Sequence, residues 1–360
     1  MISRKIRVLV VDDSAVVRRL IPEALKNDRD IEVVGTAQDP YHARDLILEL
    51  EPDILTLDIE MPRMDGLTFL NILMEKHPMP VIVLSSLTRR GSEQALEALR
   101  LGAVDVLGKP RGSFSLGETG QVLGDRIRGA MEAQMDNHLS RDANGGNGIS
   151  PVHSVLHPGS GQRVKWDPRQ IGLIGASTGG TEAIKMVLAS LPANFPGLCI
   201  VQHIPAFISK AFAERVNSAS AMEVREARHG DVLREGLALI APGDYHLSLQ
   251  RERGYYRVSL KQSPKVWYQR PAADVLFRSA APITGKWAVG ALLTGMGRDG
   301  AEGLLQIKEA GGHTLAQDEA TSVVYGMPRV ANEIGAVEEV VPLQQVAGRM
   351  TKAFLKQMAH

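Results

Sequence analysis

Short runs of β-branched and aliphatic residues recur along this chain, separated by amphipathic helical stretches, and the whole rhythm occurs twice. The first series is Ile6–Val11, Ile31–Gly35, Ile54–Leu57, Val81–Leu84 and Val104–Leu107. The second is Ile171–Ile174, Leu198–Gln202, Leu237–Ile240 and Trp287–Leu293. Strands joined by helices in this rhythm indicate parallel sheets, because parallel neighbours need a long crossover, usually a helix. The pattern therefore predicts an α/β fold of two doubly wound units, a five-stranded parallel sheet followed by a mainly parallel one. One antiparallel hairpin is expected in the second unit, pairing His246–Leu249 with Tyr255–Leu260. Helix starts carry capping chemistry. Ser14 precedes one, and Asp39-Pro40 opens another with proline at the first helical position. A last helix of the first unit is expected within Glu118–Met135.

The apolar period fails between Asp136 and Lys165, a stretch rich in glycine, serine, asparagine, histidine and proline. Such composition reads as a linker. The expected organisation is residues 1–135, a linker at 136–166 and a second unit at 167–360. His138, His153 and His157 fall in the linker at spacings that form no metal site.

Charge narrows the partners. Lysine plus arginine and aspartate plus glutamate number 41 each, so no basic footprint invites nucleic acid or an anionic membrane. No apolar run approaches the roughly 20 residues of a spanning helix, and the apolar stretch after Arg7 stops at Asp12-Asp13, too soon for a secretory signal. A cytoplasmic monomer is expected. The single cysteine, Cys199, lies in the run Leu198–Val201 and reads as a small buried hydrophobe.

Two constellations carry chemistry. Asp12 and Asp13 follow the first apolar run, Asp58 the third, and Lys109 the fifth. In a doubly wound sheet the carboxyl ends of the strands open onto one crevice, so three carboxylates and one ammonium converge. Mutual repulsion among the carboxylates is relieved by a hard divalent cation with oxygen ligands, magnesium fitting best. A carboxylate beside that ion is suited to attack a phosphoryl group and form an aspartyl phosphate. Lys109 is placed to pair with the phosphoryl oxygens, and Ser85 to offer them a hydroxyl. Asp65, in Met64-Asp65-Gly66, reads only as a cap or turn former.

The segments Val10-Val-Asp-Asp-Ser14, Leu57 to Gly66, Leu84-Ser-Ser86, Gly102-Ala103 and Lys109-Pro110 resemble the receiver domains of bacterial response regulators. The resemblance implies phosphorylation at Asp58, with Asp12, Asp13 and Asp58 around magnesium and a histidine kinase as phosphodonor. Receivers often place an aromatic switch residue three positions before the lysine. Val106 stands there, which argues against a rotating-aromatic relay.

In the second unit, Gly175-Ala-Ser-Thr-Gly-Gly180 lies between a strand and a helix. This places Ser177 on a tight turn near a helix N-terminus that favours developing negative charge. The same pattern could bind a dinucleotide, but that reading wants an acidic residue at the next strand end, and Gln202-His203 stands there instead. His203 is placed as general base and Asp299, in Leu293 to Gly300, as the acid that orients it. The order Ser, His, Asp differs from the usual α/β-hydrolase order. His229 and His246 are weaker alternative bases; Asp244, Asp274 and Asp318 are weaker alternative acids.

Ile174 to Thr181, Val201-Gln-His203, Ile240 to Asp244, Leu293 to Gly300 and Ala316 to Pro328 are similar to the chemotaxis methylesterases called CheB. The resemblance implies Ser177 as nucleophile, His203 as base, Asp299 as orienting acid, an oxyanion contribution from the Met296 amide, and Thr178 lining the site. It also implies glutamyl methyl esters on chemoreceptors as substrate, glutamine deamidation on the same receptors, no cofactor for hydrolysis, and a receiver that blocks the cleft until phosphorylated. Three readings compete: a receiver-controlled interaction module, a DNA-binding response regulator, and a hydrolase of small esters or amides.

Overall fold

The computed structural model describes residues 4–109, 116–132 and 164–359. Expectations that rest on Pro110, His138, His153, His157 or the stretch 136–163 lie outside those residues. The chain forms two compact units, Met1–Met135 and Asp136–His360.

The first unit is a five-stranded parallel sheet in the order β2-β1-β3-β4-β5. The strands are β1 Ile6–Val11, β2 Ile31–Ala37, β3 Ile54–Asp58, β4 Val81–Ser85 and β5 Asp105–Gly108. Each begins where an apolar run predicts, within a residue, and several run further because sheet pairing carries polar residues at their ends. The expected caps form. Asp39 accepts from the amides of Tyr41 and His42, both at 3.0 Å, with Pro40 as the first helical residue. Asp65 accepts from the Thr68 amide at 2.9 Å, in keeping with a purely local role. Val8, Val10, Ile54, Ile82 and Leu84 of the sheet pack with Ile21, Leu25, Leu123 and Ile127 from the helices Ala15–Leu25 and Leu116–Met131. Val106 is buried in β5.

The second unit has a seven-stranded sheet in the order β14-β13-β12-β6-β7-β9-β8, with every pairing parallel, and a separate two-stranded hairpin. The strands are β6 Ile171–Ala176, β7 Leu198–Gln202, β8 Glu223–Glu226, β9 Leu237–Ile240, β12 Ala288–Leu292, β13 His313–Gln317 and β14 Glu339–Val341. The hairpin joins β10 His246–Glu252 to β11 Tyr255–Lys261 in the predicted register neighbourhood. Trp287 was expected to start β12. It lies instead in a 3-10 turn, with the Arg169 guanidinium 3.8 Å over its ring.

Hairpin residues Leu247, Leu249, Tyr256 and Val258 join Leu276, Phe277 and Ala280 of the helix Ala273–Thr284 in one core. Burying a side chain the size of Phe277 contributes about 2–3 kcal/mol, so this packing fixes the helix whose first turn borders the candidate catalytic site. Trp166, which the composition assigns to the linker, packs edge-to-face on Phe195 and Phe354 with centroids 6.0 and 6.3 Å away. Among the described residues no helix is long and apolar enough to cross a membrane.

Candidate functional sites

In the first sheet the chain order reverses between β1 and β3, and such a switch point opens a crevice at the strand ends. Asp12, just after β1, and Asp58, at the end of β3, flank it and are both buried, while Asp13 is exposed. Ligand oxygens of Asp12, Asp13 and Asp58 lie within 4.8 Å of one another. The Lys109 ammonium sits 2.8 Å from Asp58 Oδ2 and 3.2 Å from Asp12 Oδ2. Neither oxygen receives a well-directed hydrogen bond. Their partner atoms Oδ1 do, from the Glu60 amide at 3.2 Å and the Ser14 amide at 2.9 Å.

Loss of solvent outweighs the ammonium here. Burial, opposed by Lys109 and reinforced by the Asp12 charge, pushes the Asp58 carboxyl up to about 6. Asp12 is raised as well, chiefly by burial. Burial alone would lower the Lys109 ammonium, but its close contacts with the Asp58 and Asp12 carboxylates reverse this and raise it. Three carboxylates around a single ammonium leave an excess of negative charge when ionised, and with their spare acceptor oxygens they fit a hard divalent cation. Ser85 donates its hydroxyl to the Gly91 carbonyl at 2.9 Å, so reaching a phosphoryl oxygen would require that side chain to rotate.

In the second sheet the switch point lies between β6 and β12, and β12, β6 and β7 are adjacent. Ser177, His203 and the loop of Asp299 leave these three strands. Their backbones stay bonded beyond the sheet, with the Ser177 amide donating to Thr294 O and the His203 amide to Ala176 O, both at 3.0 Å. Ser177 enters the helix Gly180–Ala189 through Gly179, whose φ of 78° suits glycine. Gly295 is required for a different reason, since a Cβ there would lie 2.7 Å from Ser177 Cβ.

His203 and Asp299 are buried, and His203 Nε2 lies 2.7 Å from Asp299 Oδ2. The same carboxylate accepts the Ala273 amide at 2.6 Å and the Asp274 amide at 3.0 Å, capping the helix Ala273–Thr284 from outside. Asp274 returns the favour to the helix Ala301–Glu309 by accepting the Gly303 amide at 2.7 Å. Asp299 therefore caps the helix that carries Asp274, and Asp274 the helix that follows Asp299. An ionised Asp299 fixes the imidazole proton on Nε2. That leaves Nδ1, which is buried and has no hydrogen-bond partner among the described residues, as the basic atom.

The remaining candidates are accounted for locally. His229 Nδ1 accepts the Leu260 amide at 3.2 Å. His246 is buried with Nε2 3.0 Å from Pro264 O, and burial lowers its pKa. Asp244 pairs with Arg270, and Asp318 accepts from Thr321 in a turn. Burial raises the Cys199 thiol, as suits a core residue. Thr178 is buried, its carbonyl accepting the Thr294 hydroxyl at 2.9 Å. Met296 is half-buried, and its amide donates to no backbone carbonyl among the described residues.

Several supporting residues have no signature in the sequence. Gln202 holds the Ser177 carbonyl at 2.8 Å, and Gln317 accepts the Thr294 amide at 2.8 Å. Both end β-strands, a position that could have drawn attention to them. Asp274, named above only as an alternative acid, instead supports the site by accepting the Gly303 amide and donating its own amide to Asp299.

These two pockets, on two doubly wound units, define a class: a response regulator whose receiver is joined to an α/β enzyme unit. The family model for CheB methylesterase matches residues 172–350, and that for the response regulator receiver domain matches residues 8–118. A protein-glutamate methylesterase/protein-glutamine glutaminase of Syntrophus aciditrophicus is 47% identical over 97% of this chain and 99% of its own length. One from Pseudomonas aeruginosa is 48% identical over 96% of each chain. The crystal structure of the Thermotoga maritima CheB methylesterase catalytic domain aligns over 51% of this chain and 97% of its own, with 38% identity and a TM-score of 0.50. The chain belongs to the CheB protein-glutamate methylesterase family.

Proposed function

We propose that this chain hydrolyses glutamyl methyl esters on chemoreceptors, and deamidates glutamines there, under control of phosphorylation at Asp58. The observation that carries the chemistry is the buried His203–Asp299 pair with an unpartnered Nδ1 next to the Ser177 turn. Nδ1 takes the Ser177 hydroxyl proton as the oxygen attacks the ester carbonyl. The carbonyl electron pair moves to oxygen, where the Met296 amide and the N-terminus of the helix Gly180–Ala189 stabilise it. As the tetrahedral centre collapses, Nδ1–H protonates the departing methoxide and methanol leaves. Water, losing a proton to the same nitrogen, then releases glutamate and restores the serine. With glutamine the leaving group is ammonia and the bookkeeping of protons is otherwise identical.

In the receiver, Asp12, Asp13 and Asp58 would hold magnesium, which when bound offsets negative charge at the phosphoryl group. Asp58 is the acceptor and Lys109 pairs with the transferred group's oxygens. The phosphodonor is a chemotaxis histidine kinase, and the setting is the cytoplasm. Phosphorylation adds charge at a pocket that already holds an excess of it, and so shifts an equilibrium between less and more active states.

The test is methanol release from methylated chemoreceptor membranes by wild type and Ser177→Ala, with and without a small phosphodonor plus magnesium. Release that needs Ser177 and rises with phosphodonor is the expected result. No release from wild type under any condition would remove the assignment.

A further inference from the structure

Between the hairpin and the helix Ala273–Thr284, the segment Val266-Trp-Tyr-Gln269 closes on itself. The Val266 amide donates to Gln269 O at 3.1 Å and the Gln269 amide to Val266 O at 2.9 Å. The two residues between them, Trp267 and Tyr268, have φ of 51° and 60°. Both central residues of this turn are left-handed, the geometry of a type I′ turn, which strongly prefers asparagine and glycine. Two bulky aromatics here cost stability that a glycine would not. They do not recover it by burial, since Trp267 is 42% exposed and Tyr268 55%. Tyr268 makes no hydrogen bond or ring contact among the described residues.

The turn is moored to the catalytic acid. Trp267 Nε1 donates to Asp274 Oδ2 at 2.9 Å, and the Asp274 amide donates in turn to Asp299. On the other side Arg298, the residue before Asp299, holds its guanidinium 4.6 Å from the Trp267 ring centroid. The Trp267 ring is thus held against Asp274 and Arg298, the neighbours of Asp299, while the Tyr268 ring beside it stands exposed with nothing in the fold that uses it. Exposed aromatics of this kind are the side chains that dominate protein–protein contacts.

We propose that the Trp267–Tyr268 turn is a specificity element that grips the substrate protein beside the esterified glutamate. It rests on the methylesterase reading and names the part of the enzyme that separates a receptor from a small ester. Tyr268 presents its ring to the substrate protein's surface, while Trp267 sets the height of the turn above Asp299.

The test compares wild type with Tyr268→Gly on methylated chemoreceptor membranes and on p-nitrophenyl acetate. Glycine suits the φ of 60°, so the variant is expected to melt no lower than wild type. The ratio of receptor to small-ester kcat/KM should fall about tenfold, through a higher KM for the receptor. An unchanged receptor KM would overturn the proposal. Parallel losses on both esters would also overturn it, because the turn would then act on the catalytic geometry. Wild type that cleaves the small ester but never the receptor ester would instead sink the methylesterase reading, and the grip with it.

Discussion

Buried carboxylates end parallel strands or follow them in both units, yet the two are furnished oppositely. Asp58 Oδ2 faces an ammonium without a well-directed hydrogen bond, and its carboxyl is pushed up to about 6. Asp299 is held by two backbone amides and an imidazole at 2.6 to 3.0 Å. A buried acid whose acceptor sites are filled is fixed in place and suited to orient something else. One whose sites are left open is unstable as it stands and suited to take on a cation or a phosphoryl group. On the proposed roles, the difference between a positioning acid and a reacting acid can be read from the donors around each.

The sharpest way to break this contrast is at the proposed nucleophile. Ser177→Ala should lower methanol release by about 10⁴-fold or more while leaving phosphorylation of Asp58 intact, as a phosphate-labelling assay would read. Asp299→Asn should cost about 10⁴-fold in kcat, because an amide does not hold the imidazole in the same tautomer; a loss confined to KM would show that Asp299 does not orient the base. Next in size is the pH dependence of the receiver. Only ionised Asp58 is a nucleophile, so without added magnesium its rate of phosphorylation by a small phosphodonor should fall about tenfold per pH unit below about 6. Magnesium should move that limb to lower pH, and a limb that does not respond to magnesium would argue against the three-aspartate site.

Stability gives the smallest effect and the cleanest sign. The folded receiver holds the Asp58 proton more tightly than the unfolded chain does, whose value is near 3.8. Its contribution therefore favours folding below that value and is lost as pH rises through about 6. Asp58→Asn should then stabilise the unit by about 1–2 kcal/mol at pH 8 in chelator, measured by urea unfolding. A destabilised variant would mean that the Lys109 pair matters more than the burial.

Much of this was legible beforehand. The runs behind β1 to β5 are mostly apolar, and the acids and lysine fall where those runs stop, so the receiver could be assembled from spacing. Ser177, His203 and Asp299 were singled out the same way, and the structure puts them on three adjacent strand ends with His203 and Asp299 2.7 Å apart. Other parts were hidden for physical reasons. β8 and β14 are sheet-edge strands of Glu223–Glu226 and Glu339–Val341, short enough that Glu223, Arg225, Glu226 and Glu339 break the apolar pattern. Asp274 looked like a weak alternative acid because no periodicity reveals a bond from one helix to the first turn of another. Nor does any spacing announce which imidazole nitrogen faces the acid.

That reciprocal arrangement has a consequence for how damage to the protein would be classified. Asp299 and Asp274 each close the end of the other's helix, so a substitution at either lowers the amount of intact enzyme as well as what each copy can do. A survey that scored only cellular abundance would file both with the core. One that scored turnover per folded molecule would separate Ser177, whose loss on the proposed mechanism leaves a whole but silent protein, from an acid whose loss loosens the frame it was built into.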